Sequence, residues 1–173
     1  MQSHMSRNVT EAMGPTIERL GTKAEPRILF SSDFNVSAEV LFGFHERKDA
    51  FALLVPPWQK VEIVRPPSSL EVGTRVVLKM FVGPLWKIIE AEHIAYEPGR
   101  SFTDRMIRGP FAEWVHRHVV TSLGPNSSRL VDDITYRLPL GALGAAAGGW
   151  IASHEIERLF RYRHAMTRKH CEA

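Results

Sequence analysis

Two histidines stand two residues apart, His116 and His118, with Asp104 before them in the chain and Asp132 and Tyr136 after them. In an extended strand residues i and i+2 share a face, so both imidazoles would point the same way. An imidazole gains or loses a proton near neutral pH, a carboxylate beside it can hold it in one orientation, and a phenol can donate to a developing oxyanion. His116 or His118 as general base, Asp132 or Asp104 as orienting group and Tyr136 as donor would suit an aldol-type cyclisation or dehydration. The same groups also suit the polar end of an apolar pocket, where they would orient a ligand's carbonyl, hydroxyl or carboxylate. A third reading is a hydrogen-bonded network that fixes strand register and takes no ligand. A His-x-His pair beside an aspartate can also reach one metal ion. Such a pair arises readily by chance in a chain with 8 histidines, so neither a metal nor any other cofactor is assigned.

The convergence of these residues depends on the strands that carry them. Strands alternate their faces, and the face with more charge should meet water. In Ser127 to Leu138 the inward row is then Leu130, Asp132, Ile134, Tyr136 and Leu138. In Glu113 to Leu123 it is Trp114, His116, His118 and Val120, and in Ser101 to Arg108 it is Phe102, Asp104 and Met106. For Trp86 to Glu97 the row Ile89, Ala91, His93 and Ala95 is the more apolar one. The polar groups thus gather on one concave apolar surface, where a buried carboxylate needs an imidazole partner.

Further strands are expected at Arg27 to Phe34, Lys60 to Arg65 and Thr74 to Val82, cut by proline and glycine turn signals. Ser37 to Leu54 carries apolar residues at helical spacing and reads as two short helices broken near His45, stopped by Pro56 and Pro57. From Leu143 to about Lys169 a long helix is expected, with Ala145, Gly148, Ala152, Ile156, Leu159, Phe160 and Arg163 on one face. The fold class is therefore α+β: a seven-stranded curved antiparallel sheet wrapped around a long C-terminal helix, with two short helices between strands one and two. The small residues in the helix's first half either leave a pocket beneath it or let it pack closely on the sheet. Arg163, on the inner stripe, would pair with an acidic ligand group or with Asp104, or reach solvent. Residues 1–25 read as a flexible leader with a cloning remnant at 1–4, and the domain spans 26–170.

The chain's 173 residues are 44% hydrophobic and 24% charged, enough for one real core. A net charge of +3 with scattered basic residues argues against nucleic acid as partner. A single cysteine, Cys171, builds neither a disulfide nor a cysteine-based zinc site. No long apolar run suggests a membrane span or secretory signal, so a cytoplasmic protein without membrane insertion is expected, its oligomeric state left open.

Several local motifs, together with the order of elements, resemble the START-like superfamily with the helix-grip fold, which includes Bet v 1-type proteins, polyketide cyclases and coenzyme Q-binding proteins. The residues that carry the resemblance are Gly109, Pro110, Phe111, Trp114, His116 and His118, then Asp132, Ile134, Tyr136, Leu138, Pro139 and Gly144, and finally Phe160, Tyr162, Arg163 and His164. It extends from Arg27 to about Lys169 and is closest to bacterial cyclase/dehydrase-like proteins. What it implies is a hydrophobic cavity between sheet and C-terminal helix, without saying what fills it; the inward polar rows and the small-residue helix face lead to the expectation of a carrier or sensor for a lipid, polyketide, isoprenoid or aromatic molecule. The ligand-binding set would then be the inward Ile89, His93, Phe102, Asp104, Trp114, His116, His118, Asp132, Ile134 and Tyr136, with Ala152, Ile156, Phe160 and Arg163 from the helix. A cyclase or dehydratase using the His/Asp/Tyr cluster is the alternative. A non-catalytic protein-interaction module is a second, which an exposed sheet edge or apolar patch would mark.

Overall fold

The structure is a computed structural model that describes residues 14–82 and 84–173. The cloning remnant expected at 1–4 and the rest of the leader up to residue 13 lie outside the described residues. Strands β1 (Thr16–Gly21) and β2 (Pro26–Phe34) are followed by helices α1 (Ala38–Glu46) and α2 (Ala50–Leu53). Next come β3 (Val61–Arg65), β4 (Arg75–Val82), β5 (Leu85–Glu97), β6 (Ser101–Arg108), β7 (Glu113–Gly124) and β8 (Ser127–Arg137), and the chain closes with α3 (Gly141–Cys171). All strands join one antiparallel sheet in the order β1-β2-β8-β7-β6-β5-β4-β3.

The sheet has eight strands where seven were expected, and the additional one, β1, falls within the segment read as a loose leader. It pairs with β2 along its whole length, from Thr16 opposite Ser31 to Gly21 opposite Pro26. Gly21 makes the hairpin possible: its φ is +77°, and a Cβ there would meet the Glu25 carbonyl oxygen at 2.4 Å. Ile17 alone in this strand packs on the core, while Arg19 pairs with Glu157 of α3. An edge strand held by backbone bonds and one apolar contact carries almost no hydrophobic period, so its sequence reads as coil.

Elsewhere the alternation is obeyed. Leu130, Asp132, Ile134 and Tyr136 of β8 are buried, while the opposite face carries two-pronged ion pairs, Arg27 to Asp133 at 2.8 and 2.7 Å and Arg129 to Asp33 at 2.6 and 2.9 Å. These exposed pairs add little stability in water, but both tie β2 to β8 in one register. The exception is Ala95, expected inward and found exposed. A register shift between His93 and Ala95 inserts a residue and inverts the parity, so Tyr96 takes the inner position and stacks on Phe42.

Ser37 caps α1, its side chain accepting from the Val40 amide at 3.3 Å. Leu41 and Phe42 then drop onto Phe34, Phe102 and Leu130 to form one core cluster. A second cluster joins Ile28, Phe30, Ile134 and Tyr136 of the sheet to Ile156 and Phe160 of α3, with Phe30 and Phe160 stacked at 5.0 Å. Only the second half of α3 is gripped in this way. Along its first half Leu143 is 77% and Trp150 74% exposed, while Ala152 of the small-residue stripe packs against the sheet cluster and none of Ala145, Gly148 and Ala152 lines the cavity. Among the described residues no helix is long and apolar enough to cross a membrane.

Candidate functional site

A cavity of about 220 Å³ opens between the sheet and the helices. Its floor is the inner faces of β3 to β7, including Val76, Leu78 and Met80 of β4 and Ile89 and Ala91 of β5. Ala50, Phe51 and Leu54 close one side, Phe111 and Trp114 another, and α3 contributes Leu159 and Arg163. The walls are mainly apolar, and the space exceeds the roughly 150 Å³ apolar cavity that takes a benzene-sized molecule.

Eight of the expected ligand-binding residues line it: Ile89, His93, Phe102, Asp104, Trp114, His116, His118 and Arg163. Asp132, Ile134, Tyr136, Ala152, Ile156 and Phe160 do not, because β8 runs directly under the gripped half of α3 and its inward row packs there. Tyr136 is 1% exposed against Phe111 and Trp114, so the donor expected of it in a cyclisation is not at the cavity wall. The pocket expected beneath the first half of α3 lies instead over β3 to β7. Sequence reasoning missed the β4 row, although Arg75 and Lys79 on the alternate positions mark Val76, Leu78 and Met80 as inward, and it missed His45 at the α1 break.

Behind the cavity wall lies a buried polar cluster centred on Asp132. Its Oδ1 is 3.1 Å from His116 Nε2 and 2.7 Å from His118 Nδ1, and its Oδ2 is 2.9 Å from His164 Nε2. Burial alone would raise the Asp132 carboxyl, but the charge of the nearby His118 and hydrogen bonds from His116 and His164 hold it well below its ordinary value. As a carboxylate it only accepts, so His116 and His164 donate to it through Nε2. His164 Nδ1 in turn lies 2.8 Å from the Ser32 hydroxyl, within hydrogen-bond distance.

On the cavity side the second carboxylate, Asp104, faces the same two imidazoles, Oδ1 at 3.5 Å from His116 Nδ1 and 3.8 Å from His118 Nε2. Burial would raise Asp104 as well, but the histidines outweigh it and lower it. The two histidines are driven apart. Burial lowers His116, with the charge of His118 adding to the effect, whereas at His118 the two aspartates overcome burial and raise it. Burial also lowers His93 and drives His45 down to about 4. Arg163 stands apart from this cluster: its Nε is buried without a hydrogen-bond partner, and among the described residues no carboxylate pairs with it. Its guanidinium carbon lies 5.3 Å from the Phe160 ring centroid, and burial lowers its pKa against the pull of Asp132 and Asp104.

An antiparallel sheet curved around one long helix recurs in solved structures. A START superfamily protein from Mycobacterium smegmatis superposes with a TM-score of 0.59 at 15% identity, covering 84% of this chain and 97% of that one. The chain has the START-like helix-grip fold. An aromatase/cyclase from a Streptomyces species aligns over 84% of this chain and 95% of its own at 12% identity and TM-score 0.58. Norcoclaurine synthase from Thalictrum flavum, solved with dopamine and hydroxybenzaldehyde, aligns over 95% of both chains at 12% identity and TM-score 0.58. No protein-family model matches the chain, and no curated protein does. At these identities the likeness is one of helix-grip fold, and the chemistry of the cavity must be read from this chain's own residues.

Proposed function

We propose that the chain is a cytoplasmic carrier or sensor that binds a hydrophobic small molecule bearing an acidic group, an aromatic or acyl acid, in the cavity between sheet and α3. The observation that carries this reading is Arg163, a cation at the wall of a mainly apolar cavity that forms no ion pair among the described residues. An unpaired charge in such a place costs several kcal/mol, and a face-on contact with Phe160 offsets only a small part. A ligand carboxylate would supply the missing partner in the two-pronged geometry a guanidinium favours. The apolar walls would supply the rest: a bound aromatic that loses roughly 200 Å² of apolar surface gains about 5 kcal/mol before the cost of immobilising it.

The test is calorimetric titration with a matched pair, 2-naphthoate and 2-naphthamide, on the wild type and on Arg163→Met. Wild type should prefer the acid by at least about tenfold, and the methionine variant should lose that preference while keeping its melting temperature. Equal affinity for acid and amide, or an unchanged preference in the variant, would overturn the reading. A cyclase or dehydratase is the second reading, favoured by the placing of His116 and His118 on the cavity wall. It requires turnover of a polyketide-like substrate that disappears in His118→Gln with folding intact.

A further inference from the structure

The imidazoles of His116 and His118 each face two carboxylates, one on either side, and the two sides differ. Toward Asp132 the separations are 3.1 and 2.7 Å, those of close polar contact. Toward Asp104 they are 3.5 and 3.8 Å, too long for hydrogen bonds. All three ligating atoms, Asp104 Oδ1, His116 Nδ1 and His118 Nε2, nevertheless lie within 4.8 Å of one another. Ligands bound at about 2.0–2.1 Å to a tetrahedral ion stand about 3.3–3.5 Å apart, whereas neighbouring ligands of an octahedral ion stand about 3.0 Å apart. The two separations from Asp104, 3.5 and 3.8 Å, reach the tetrahedral value with a contraction of a few tenths of an ångström, and the two imidazole nitrogens lie within 4.8 Å of each other.

The surroundings are those of a metal site too. A metal-bound imidazole usually donates its other N–H to a carboxylate, which fixes ring orientation and tautomer. Asp132 accepts a hydrogen bond from the far nitrogen of His116 and lies 2.7 Å from that of His118, which has no hydrogen-bond partner, and Asp132 is itself held by His164 and, through it, by Ser32. Two carboxylates in one buried cluster of imidazoles carry negative charge that a dication would balance. His93 supplies an independent sign. It stands directly opposite Asp104 in the β5–β6 register, lines the same cavity and has a buried Nδ1 without a hydrogen-bond partner.

We infer that Asp104, His116 and His118 form a binding site for a divalent transition-metal ion of the zinc class, with Asp132 orienting both imidazoles from behind and the fourth coordination position open toward the cavity. His93 stands beside that position. Sequence reading assigns no metal here because a His-x-His pair is common; the third ligand and the shared carboxylate behind it become visible only when three strands are aligned. Zinc uptake and acid uptake are separable properties, since Arg163 is not among the ligands: protein stripped of metal can still be titrated with 2-naphthoate.

The experiment is titration of zinc, followed by calorimetry, and of cobalt(II), followed by its visible spectrum, into tag-free protein freed of metal by a chelator. One equivalent should bind, and cobalt should give the intense visible absorption of a tetrahedral site. Asp104→Asn and His118→Gln should each weaken zinc binding by about 100-fold, and His154→Gln, on the exposed face of α3, should leave it unchanged. X-ray absorption at the zinc edge of the wild type, which needs no variant to fold, should report nitrogen and oxygen ligands with two imidazoles or, if His93 closes the shell, three. Absence of binding, sulfur among the ligands, an octahedral cobalt spectrum, or affinity indifferent to the Asp104 and His118 substitutions would overturn the inference.

Discussion

At the scale of residues, burial and the two aspartates together decide which histidines carry charge. His45, buried and bonded to the Leu41 carbonyl at 3.0 Å, is held at about 4 against an ordinary value of 6.5, by burial first and then by the charge of His118. Asp132 pulls the other way and His164 adds to the lowering. The unfolded chain therefore takes up this proton first. His45's contribution to stability is whole above pH 6.5 and is lost as pH falls toward 4, with about 2 kcal/mol gone by pH 5. Urea unfolding at pH 7 and pH 5 should show His45→Asn losing less stability between the two than wild type; equal losses would contradict it. Asp132→Asn should cost about 3–5 kcal/mol in the same assay, because three imidazoles lose the charge they share. The sequence alternation correctly turned Asp132 and Tyr136 inward, but inward on a sheet is not the same as facing a cavity. Strand order decides that, and no local pattern encodes the position of β8 beneath α3. Tyr136→Phe should accordingly leave ligand affinity within about twofold and cost about 1 kcal/mol of stability.

At the scale of elements, α3 is anchored by few side chains. Phe160 is wholly buried, stacked on Phe30 and edge-on to His116, so Phe160→Ala should cost about 3–5 kcal/mol by thermal or urea unfolding. Strand β1 is the opposite case, since it buries little but covers the free edge of β2. A chain beginning at Pro26 should lose only modest stability yet self-associate, and light scattering against the full chain checks this; a monomer as soluble as the full chain would show that the edge needs no cover. The elements with strong period or clear punctuation, α1, α3 and the six strands from β3 to β8, were legible within a few residues. Strand β1 was not, because backbone pairing leaves no apolar signature. Nor was the bulge at His93 to Ala95, which brings Tyr96 against Phe42 of α1, a contact that no local period encodes.

At the scale of the whole molecule, a half-gripped helix leaves the sheet uncovered over β3 to β7, and that uncovered region is the cavity. The fold class was readable from element order, and eight of the fourteen expected ligand-binding residues line the cavity. Its position was not readable, since the small residues of α3 suggested a space beneath the first half of the helix, whereas the cavity lies over β3 to β7. The most direct measurement fills the space. Ala91→Trp places an indole in the middle of the cavity floor, and titration with 2-naphthoate should then show one site in the wild type and none in the variant, with both proteins melting cooperatively. Undiminished binding in the filled variant, or no binding by the wild type, would contradict a ligand seated between sheet and helix.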